Sequence, residues 1–276
     1  MISGRFLIVL AIAAAGAATA QDDNVLVVEG AQLVTETRAP AHIEHVGTIY
    51  SGWRFRSGET QVLQTDDFEN PAMIFVDQAM DLWDKVDGEA GKACASCHEN
   101  VAQFAGLRTR LPRVKNGELV TMENLINACR TGRMKAVPWK WSEGKMTAMT
   151  ALIGLQSRGM PINVAIDGPA ASFWEKGREI YYTPVGQLQM ACANCHEDNY
   201  GLMIRADHLS QGQSNGFPTY RLKNAKLNSI HGRFRGCMKN IRAIPYKEGS
   251  DEFKALELYL ASRGQGLSVE TPSVRN

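Results

Sequence analysis

The pentapeptide Cys-x-x-Cys-His occurs twice in this chain, as Cys94-Ala95-Ser96-Cys97-His98 and as Cys192-Ala193-Asn194-Cys195-His196. This spacing is typical of c-type haem attachment, because two thiols one short loop apart form thioethers to the vinyl groups while the adjacent histidine reaches the iron. One copy alone would also suit half of a zinc site or a redox pair, but here the flanking residues repeat as well. The sequence therefore predicts two covalently attached haem c groups, with His98 and His196 as iron ligands.

The first twenty residues are typical of a secretory signal peptide. A single cation, Arg5, precedes an apolar run from Phe6 to Ala18, and Ala18-Thr19-Ala20 provides a small-residue cleavage site. The run is shorter than the roughly 20 residues that a membrane-spanning helix needs. We therefore expect cleavage after Ala20 and export, to the periplasm in a Gram-negative cell, with no membrane span.

Charge gives no sign of a nucleic-acid partner. Lys and Arg number 30 and Asp and Glu 29, and loss of Arg5 with the signal peptide leaves a formally neutral chain. Nucleic-acid binding normally requires a basic excess. Any electrostatic function must therefore come from local clustering of charges.

Three further pairs of segments indicate an internal duplication. The matching pairs are Leu82-Trp83-Asp84-Lys85 with Phe173-Trp174-Glu175-Lys176, Lys135–Lys140 with Arg242–Lys247, and Ser157-Arg158-Gly159 with Ser262-Arg263-Gly264. They occur in the same order around the two haem motifs. The chain is therefore predicted to contain two homologous units in tandem.

Each unit shows helical patterning. Apolar residues at helical spacing follow the capping candidates Ser142 and Ser250, and an earlier helix is predicted to start at Asn70-Pro71. We expect an all-α chain of two tandem helical domains with an N-terminal extension. The predicted boundaries are 1–20 for the signal peptide, 21–70 for the extension, 71–164 for the first domain and 165–276 for the second.

Two cysteines remain outside the haem motifs, Cys129 and Cys237. A c-type haem iron takes a second axial ligand on its distal face or leaves that position open, and Met and His are the usual ligands. None of the methionines recurs at matching positions of the two units, whereas these cysteines do. We therefore expect His98/Cys129 and His196/Cys237 coordination. A disulfide between the two thiols, or two inert buried thiols, are the alternatives.

The surroundings of the two thiols differ in charge. The 40 residues between Asp207 and Glu248 contain no carboxylate and eight cations: Arg221, Lys223, Lys226, Arg233, Arg235, Lys239, Arg242 and Lys247. Around Cys129 the cations are fewer, and Glu123 is expected to offset them. Uncompensated cations favour a nucleophilic thiolate at Cys237 and attract a small dianion, although a solvated basic face is the alternative.

Arg233 lies four residues before Cys237, where a helix would put both on one face. Gly232 and Gly236 make a tight loop equally possible, and either geometry lets the guanidinium hold an oxyanion beside the sulfur. His231 is a candidate proton carrier, but we expect it at the surface.

These features together resemble the SoxA family, the two-haem subunits of the SoxAX cytochrome complexes of bacterial thiosulfate oxidation. The resemblance covers most of the chain after residue 20. It includes both haem motifs, Cys129, Thr60-Gln61, the stretch from Gln64 to Pro71, and Arg233-x-x-x-Cys237 with its basic surroundings. It implies two cytochrome c domains and His/Cys ligation of both haems. It also implies that Cys237 is the catalytic sulfur, able to carry a persulfide, and that Arg233 holds the substrate.

The resemblance further implies L-cysteine S-thiosulfotransferase activity. Thiosulfate is joined to a cysteine of a SoxYZ-like carrier protein, and two electrons leave through haem to a SoxX-like monohaem cytochrome c and then to a c-type cytochrome acceptor. A thiosulfate dehydrogenase that forms tetrathionate is the closest alternative, although its Cys-ligated haem belongs to the first domain. A dihaem electron-transfer cytochrome leaves the basic segment without a role. A dihaem peroxidase needs an open or displaceable ligand site, which cysteine at both positions disfavours.

Overall fold

The computed structural model describes residues 25–205 and 207–276, so the predicted signal peptide, residues 1–20, lies outside the described residues. No helix within these ranges is both long and apolar enough to cross a bilayer. The α-helices of the described chain are α1 (Gly58–Val62), α2 (Met73–Asp84), α3 (Met122–Cys129), α4 (Gly144–Leu155), α5 (Ala171–Tyr182), α6 (Cys192–His196), α7 (Ile230–Asn240) and α8 (Asp251–Arg263). A π-helical turn, Arg130–Met134, continues α3.

Two helix pairs form the centres of the two main cores. Helix α2 packs on α4 around buried Trp83 and Met149, while α5 packs on α8 around Tyr181 and Tyr259. The second pair crosses closely at Gly177, because a Cβ there would overlap the backbone carbonyl of Ala255. Burial of these apolar side chains is the main stabilising contribution to each core.

The all-α prediction is incomplete, because short strands join the helices. They are β1 (Leu26–Val28), β2 (Ala31–Leu33), β3 (Glu36–Arg38), β4 (Thr48–Tyr50), β5 (Arg113–Lys115), β6 (Glu118–Val120), β7 (Met203–Ile204), β8 (Asp207–His208), β9 (Thr219–Arg221), β10 (Lys226–Asn228) and β11 (Ser273–Arg275). The first four form the antiparallel pairs β1–β2 and β3–β4 of the N-terminal extension. Strand β9 lies between antiparallel β10 and parallel β11.

The N-terminal extension is anchored to the end of the chain. The Ser268 N–H donates to Val34 O at 3.0 Å, and the Gln64 side chain accepts from Arg275 at 2.6 Å and donates to Glu270 at 3.2 Å. Gln64 and Glu270 are buried, so this polar network lies inside the protein. The C-terminal strand β11 is thereby fixed beside β9. Along the chain, β9 is followed by β10 and then by helix α7, which contains Cys237.

The start of α4 differs from the prediction. Helix α4 begins at Gly144, and Ser142 does not cap it; the Ser142 hydroxyl instead lies 2.6 Å from the Ser229 hydroxyl at the start of α7. Ser250 caps α8 as predicted, accepting from the Phe253 N–H at 3.4 Å. The contact between Ser142 and Ser229 joins the two halves of the chain, and local sequence patterns carry no signal for such a contact.

Candidate functional site

The second haem motif forms a short helix that presents His196. The motif is α6 itself, and the His196 ring nitrogen Nδ1 lies 2.7 Å from the Ser210 carbonyl oxygen. A carbonyl can only accept, so Nδ1 carries the proton and Nε2 keeps its lone pair for a metal. Gly212 lies against the ring with φ +77°, and a Cβ there would come 3.0 Å from His196 Cγ. The loop therefore fixes both the tautomer and the orientation expected of an iron ligand.

Cys237 faces His196 from a different helix. The segment that contains Cys237 is helical, so Arg233 and Cys237 lie on one face of α7, whose first turn is capped by Ser229. Burial raises the pKa of the Cys237 thiol, but the Arg233 guanidinium, the contact with His196 and the Arg221 guanidinium outweigh it and lower the pKa to about 7. Cationic neighbours thus stabilise the thiolate, the form that is both nucleophile and metal ligand.

The basic segment contributes two guanidinium groups to this site rather than eight cations. Arg221 is half-buried on β9, and its Nε–H donates to the Asn276 carbonyl at 2.8 Å. Burial and the nearby charge of Arg233 lower the pKa of Arg221. Arg221 is one of the eight cations of the basic run, and its position near Cys237 was not predicted because its orientation depends on the distant C-terminus.

The other cations of this run point elsewhere. Arg235 is exposed and lies 3.2 Å from Glu248. The remaining members are exposed to solvent: Lys223, Lys226, Lys239, Arg242 and Lys247. The interpretation of the run as a solvated face therefore holds for these six cations, while Arg221 and Arg233 form a pair of guanidinium groups beside Cys237.

The first haem motif is matched by Cys129 at the end of α3. His98 packs against the aromatic rings of Trp83 and Phe104, with ring centroids 5.9 Å and 5.0 Å away. Burial and the neighbouring Cys97 raise the pKa of the Cys129 thiol. Cys129 also influences Cys94, whose pKa is raised mainly by burial. The motif and the distal thiol thus lie together, but in an environment that does not stabilise a free thiolate.

The positive charge near Cys129 is partly offset by Asp87 and not by Glu123. The Arg130 guanidinium donates to Asp87 at 2.7 Å and lies over the Trp139 ring at 3.9 Å. Glu123 instead is buried beside Glu257 in the interior. The predicted contrast between the two thiols is present, but the compensating carboxylate was assigned wrongly.

The donor sets suit two haem groups. All six cysteines are free thiols, so the alternative disulfide between Cys129 and Cys237 is not formed. Within residues 25–205 and 207–276, no three His, Cys, Asp or Glu side chains cluster as a metal site. A porphyrin supplies four nitrogen ligands, so a haem iron bound here would need two further donors, which His196 and Cys237 would provide. The second haem would be held by Cys192 and Cys195, and the first by Cys94, Cys97, His98 and Cys129.

His231 was predicted to lie at the surface, and this prediction is wrong because the residue is completely buried. Its ring stacks on Trp141 from the first half of the chain, with centroids 5.2 Å apart and planes 12° apart. The sequence shows only a histidine in a basic run, and its burial depends on this long-range packing. His231 therefore lies inside the protein, packed on Trp141.

Comparison with known proteins identifies related chains. The profile described as "SoxA/TsdA, cytochrome c domain" matches residues 78–162 and 176–269. The L-cysteine S-thiosulfotransferase subunit SoxA of Rhodovulum sulfidophilum is 56% identical, over 94% of this chain and 92% of that protein. The subunit of the same name from Paracoccus pantotrophus is 54% identical, over 97% and 95%. That from Pseudaminobacter salicylatoxidans is 45% identical, over 92% and 90%.

A solved structure shows the same fold. A chain in the crystal structure of SoxXA from P. pantotrophus superposes with a TM-score of 0.89 at 54% sequence identity, covering 93% of this chain and 99% of that one. At this similarity the backbone arrangement described above is shared over nearly the full length of both chains.

Proposed function

Since this chain belongs to the SoxA/TsdA cytochrome c family, we propose that it is a SoxA-type subunit of an L-cysteine S-thiosulfotransferase. Its reaction joins thiosulfate oxidatively to a cysteine of a carrier protein. The observation that carries this conclusion is the position of Cys237, which faces His196 and is flanked by Arg233 and Arg221. One sulfur there combines the functions of iron ligand, nucleophile and neighbour of a bound anion.

The chain is proposed to contain two tandem cytochrome c domains derived from one ancestral unit. The repeated segments support this, and so does the similarity of the two helix pairs, α2 packed on α4 and α5 packed on α8. Each domain holds one haem c, the first through His98 and Cys129 and the second through His196 and Cys237. When bound, haem supplies the path by which electrons leave the site.

The protein residues at the second site organise the sulfur chemistry. The carrier thiol loses its proton, a bond forms between its sulfur and the sulfane sulfur of thiosulfate, and two electrons are removed. Cys237 first forms a transient bond with the sulfane sulfur as the two electrons are removed. The carrier thiolate then attacks that sulfane sulfur, and the bond to Cys237 breaks with Cys237 leaving as thiolate. Arg233 and Arg221 offset the charge of the sulfonate end and hold it beside Cys237.

The proposed partners follow from this reaction. A SoxX-like monohaem cytochrome c pairs with the chain and receives the electrons, and a c-type cytochrome takes them further; the related P. pantotrophus structure is of SoxXA. A SoxYZ-like carrier is the second substrate. The signal-peptide pattern supports a periplasmic location for the mature chain.

The reaction is tested by adding thiosulfate and a ferric cytochrome acceptor to the purified chain and its partner cytochrome, with and without a carrier that has a free cysteine. We expect acceptor reduction only with the carrier, and mass spectrometry should find the carrier heavier by one thiosulfate. A carrier whose cysteine is replaced by serine is the control. Tetrathionate formed at the same rate without carrier would instead identify a thiosulfate dehydrogenase.

Replacing Arg233 by alanine is expected to raise the thiosulfate KM about 10- to 100-fold, because charge-assisted hydrogen bonds of this kind contribute about 1.5–3 kcal/mol. The exposed Arg235 on the same helix is the matched control, since Arg235→Ala removes an equal charge that is paired with Glu248. Steady-state kinetics at fixed carrier concentration measures both variants. Equal KM changes in the two variants would show that Arg233 acts only through the general positive field.

A further inference from the structure

Two carboxylates are buried together where the halves of the chain meet. Glu123 on α3 is 6% exposed and Glu257 on α8 is 5% exposed, and both line one small cavity. Arg108 lines the same cavity. The cavity measures about 20 Å³, which is enough for one water molecule. Buried carboxylates at one cavity require compensation of their charge.

The hydrogen bonds of His231 define its role toward these carboxylates. The Gly249 N–H donates to His231 Nδ1 at 3.0 Å, so Nδ1 is an acceptor and the proton of the ring is on Nε2. His231 Nε2 lies 3.1 Å from Glu257 Oε2. Neither atom has a hydrogen bond of good geometry within the described part of the chain. His231 is therefore a neutral imidazole that lies beside Glu257 and brings no charge of its own.

A count of charges then leaves one carboxylate without compensation. Among the described residues, the charged and titratable groups that face the pair are Arg108 and His231, and the Thr121 hydroxyl donates to Glu123 at 2.6 Å. Arg108 donates to the carbonyl oxygens of Leu111 at 3.3 Å and Ser214 at 3.1 Å. One cation therefore lies near two carboxylates, so the cluster is neutral when one of the two carboxylates holds a proton. In agreement, burial and the neighbouring Glu257 raise the pKa of Glu123.

The cluster lies between the helices that present the two distal thiols. Glu123 is six residues before Cys129 on α3, and His231 is six residues before Cys237 on α7. At a rise of about 1.5 Å per residue, His231 and Cys237 are separated by about 9 Å along α7. In the protein interior a change of one charge acts over such a distance. The matching positions put the cluster next to both ligand helices.

We propose that Glu123 and Glu257 form a buried proton-binding site that holds one proton while the second haem is reduced and releases it when that haem is oxidised. The proposal rests on the ligation of that haem by Cys237, part of the proposed function. Oxidation removes one electron from the iron to the cytochrome acceptor, the site becomes more positive, and one proton leaves to water. Reduction reverses both transfers, so the charge of the interior changes little during turnover.

The test is the infrared difference spectrum, reduced minus oxidised, of the full haem-loaded chain with its partner cytochrome. We expect a carbonyl stretch of a neutral carboxylic acid that is gained on reduction and shifts in D₂O. Glu123→Gln and Glu257→Gln should each remove it, because one carboxylate then remains against one cation. Glu252→Gln is the control, since Glu252 on α8 is ionised beside Lys176, which lowers its pKa to about 2.

A second measurement is the reduction potential of the second haem at a series of pH values. The wild-type potential should fall with rising pH, and it should become independent of pH in Glu123→Gln. Absence of the infrared band, or its survival in both carboxylate variants, would overturn the proposal, as would an unchanged pH dependence. An electron paramagnetic resonance spectrum without thiolate-bound iron would refute instead the ligation by Cys237, so the two failures are distinguishable.

Discussion

Replacing Cys237 by alanine is expected to reduce thiosulfate conjugation by about 10³-fold or more, as loss of a catalytic nucleophile does, while both haems stay attached. The cysteines proposed to attach the haems are left in place by the substitution: Cys94, Cys97, Cys192 and Cys195. The reaction loses the sulfur that Arg233 and Arg221 surround. Acceptor reduction by the chain with its partner and carrier measures the effect, and haem absorbance per chain measures attachment.

Cys129→Ala is the matched control for this variant. Both substitutions remove a distal thiol, but the pKa of Cys129 is raised by burial and Cys97, whereas that of Cys237 is lowered to about 7. We therefore expect Cys129→Ala to change the electron paramagnetic resonance signal of the first haem and to retain most turnover. Comparable losses in the two variants, or substantial turnover in Cys237→Ala, would refute the assignment of catalysis to the second site.

Local features of the second site were predictable because they depend on short stretches of sequence. The spacing within Cys192–His196 specifies the attachment chemistry, and the four-residue separation of Arg233 and Cys237 puts them on one face once α7 is helical. The two glycines that left the helix in doubt are accommodated, since Gly232 donates its N–H to the capping Ser229 hydroxyl at 3.0 Å. A cap can thus offset an unfavourable local propensity.

Features that depend on distant segments were missed or assigned wrongly. Arg221 joins the site because the C-terminal residue Asn276 and strand β11 lie beside β9. His231 is buried because Trp141 of the other half stacks on it. Glutamate usually lies at the protein surface, yet Glu123 lies in the interior with Glu257. Each position is decided by tertiary packing, which hydrophobic periodicity and charge counts do not encode.

The Ser-Arg-Gly segment occurs twice, and its arginine lies in a different environment in each copy. Arg263 is completely buried, forms an ion pair with Glu197 and lies 4.6 Å over the Tyr181 ring. Its counterpart Arg158 pairs with Asp67 at 2.6 Å near the surface, where the two side chains are 18% and 26% exposed. The same tripeptide thus supports a buried charge in one unit and a solvent-screened pair in the other.

Arg263→Ala is therefore expected to lower the free energy of unfolding by about 3–5 kcal/mol, because it leaves the buried Glu197 carboxylate without its cation. The remaining partner of Glu197 is the Tyr182 hydroxyl, which donates at 2.8 Å. Arg158→Ala should cost about 1 kcal/mol or less, since a partly exposed pair is weakened by solvent. Denaturant unfolding of the haem-loaded variants, followed by far-ultraviolet circular dichroism, measures both values.

A double variant separates the loss of the ion pair from the loss of packing. In Arg263→Met with Glu197→Gln, neither buried charge remains and most of the side-chain volume is kept, so stability should recover substantially relative to Arg263→Met alone. Glu197 directly follows His196, the proposed iron ligand, so the ion pair lies beside the second haem motif. Equal destabilisation by Arg263→Ala and Arg158→Ala, or no recovery in the double variant, would show that the buried charge pair does not set the stability of the protein.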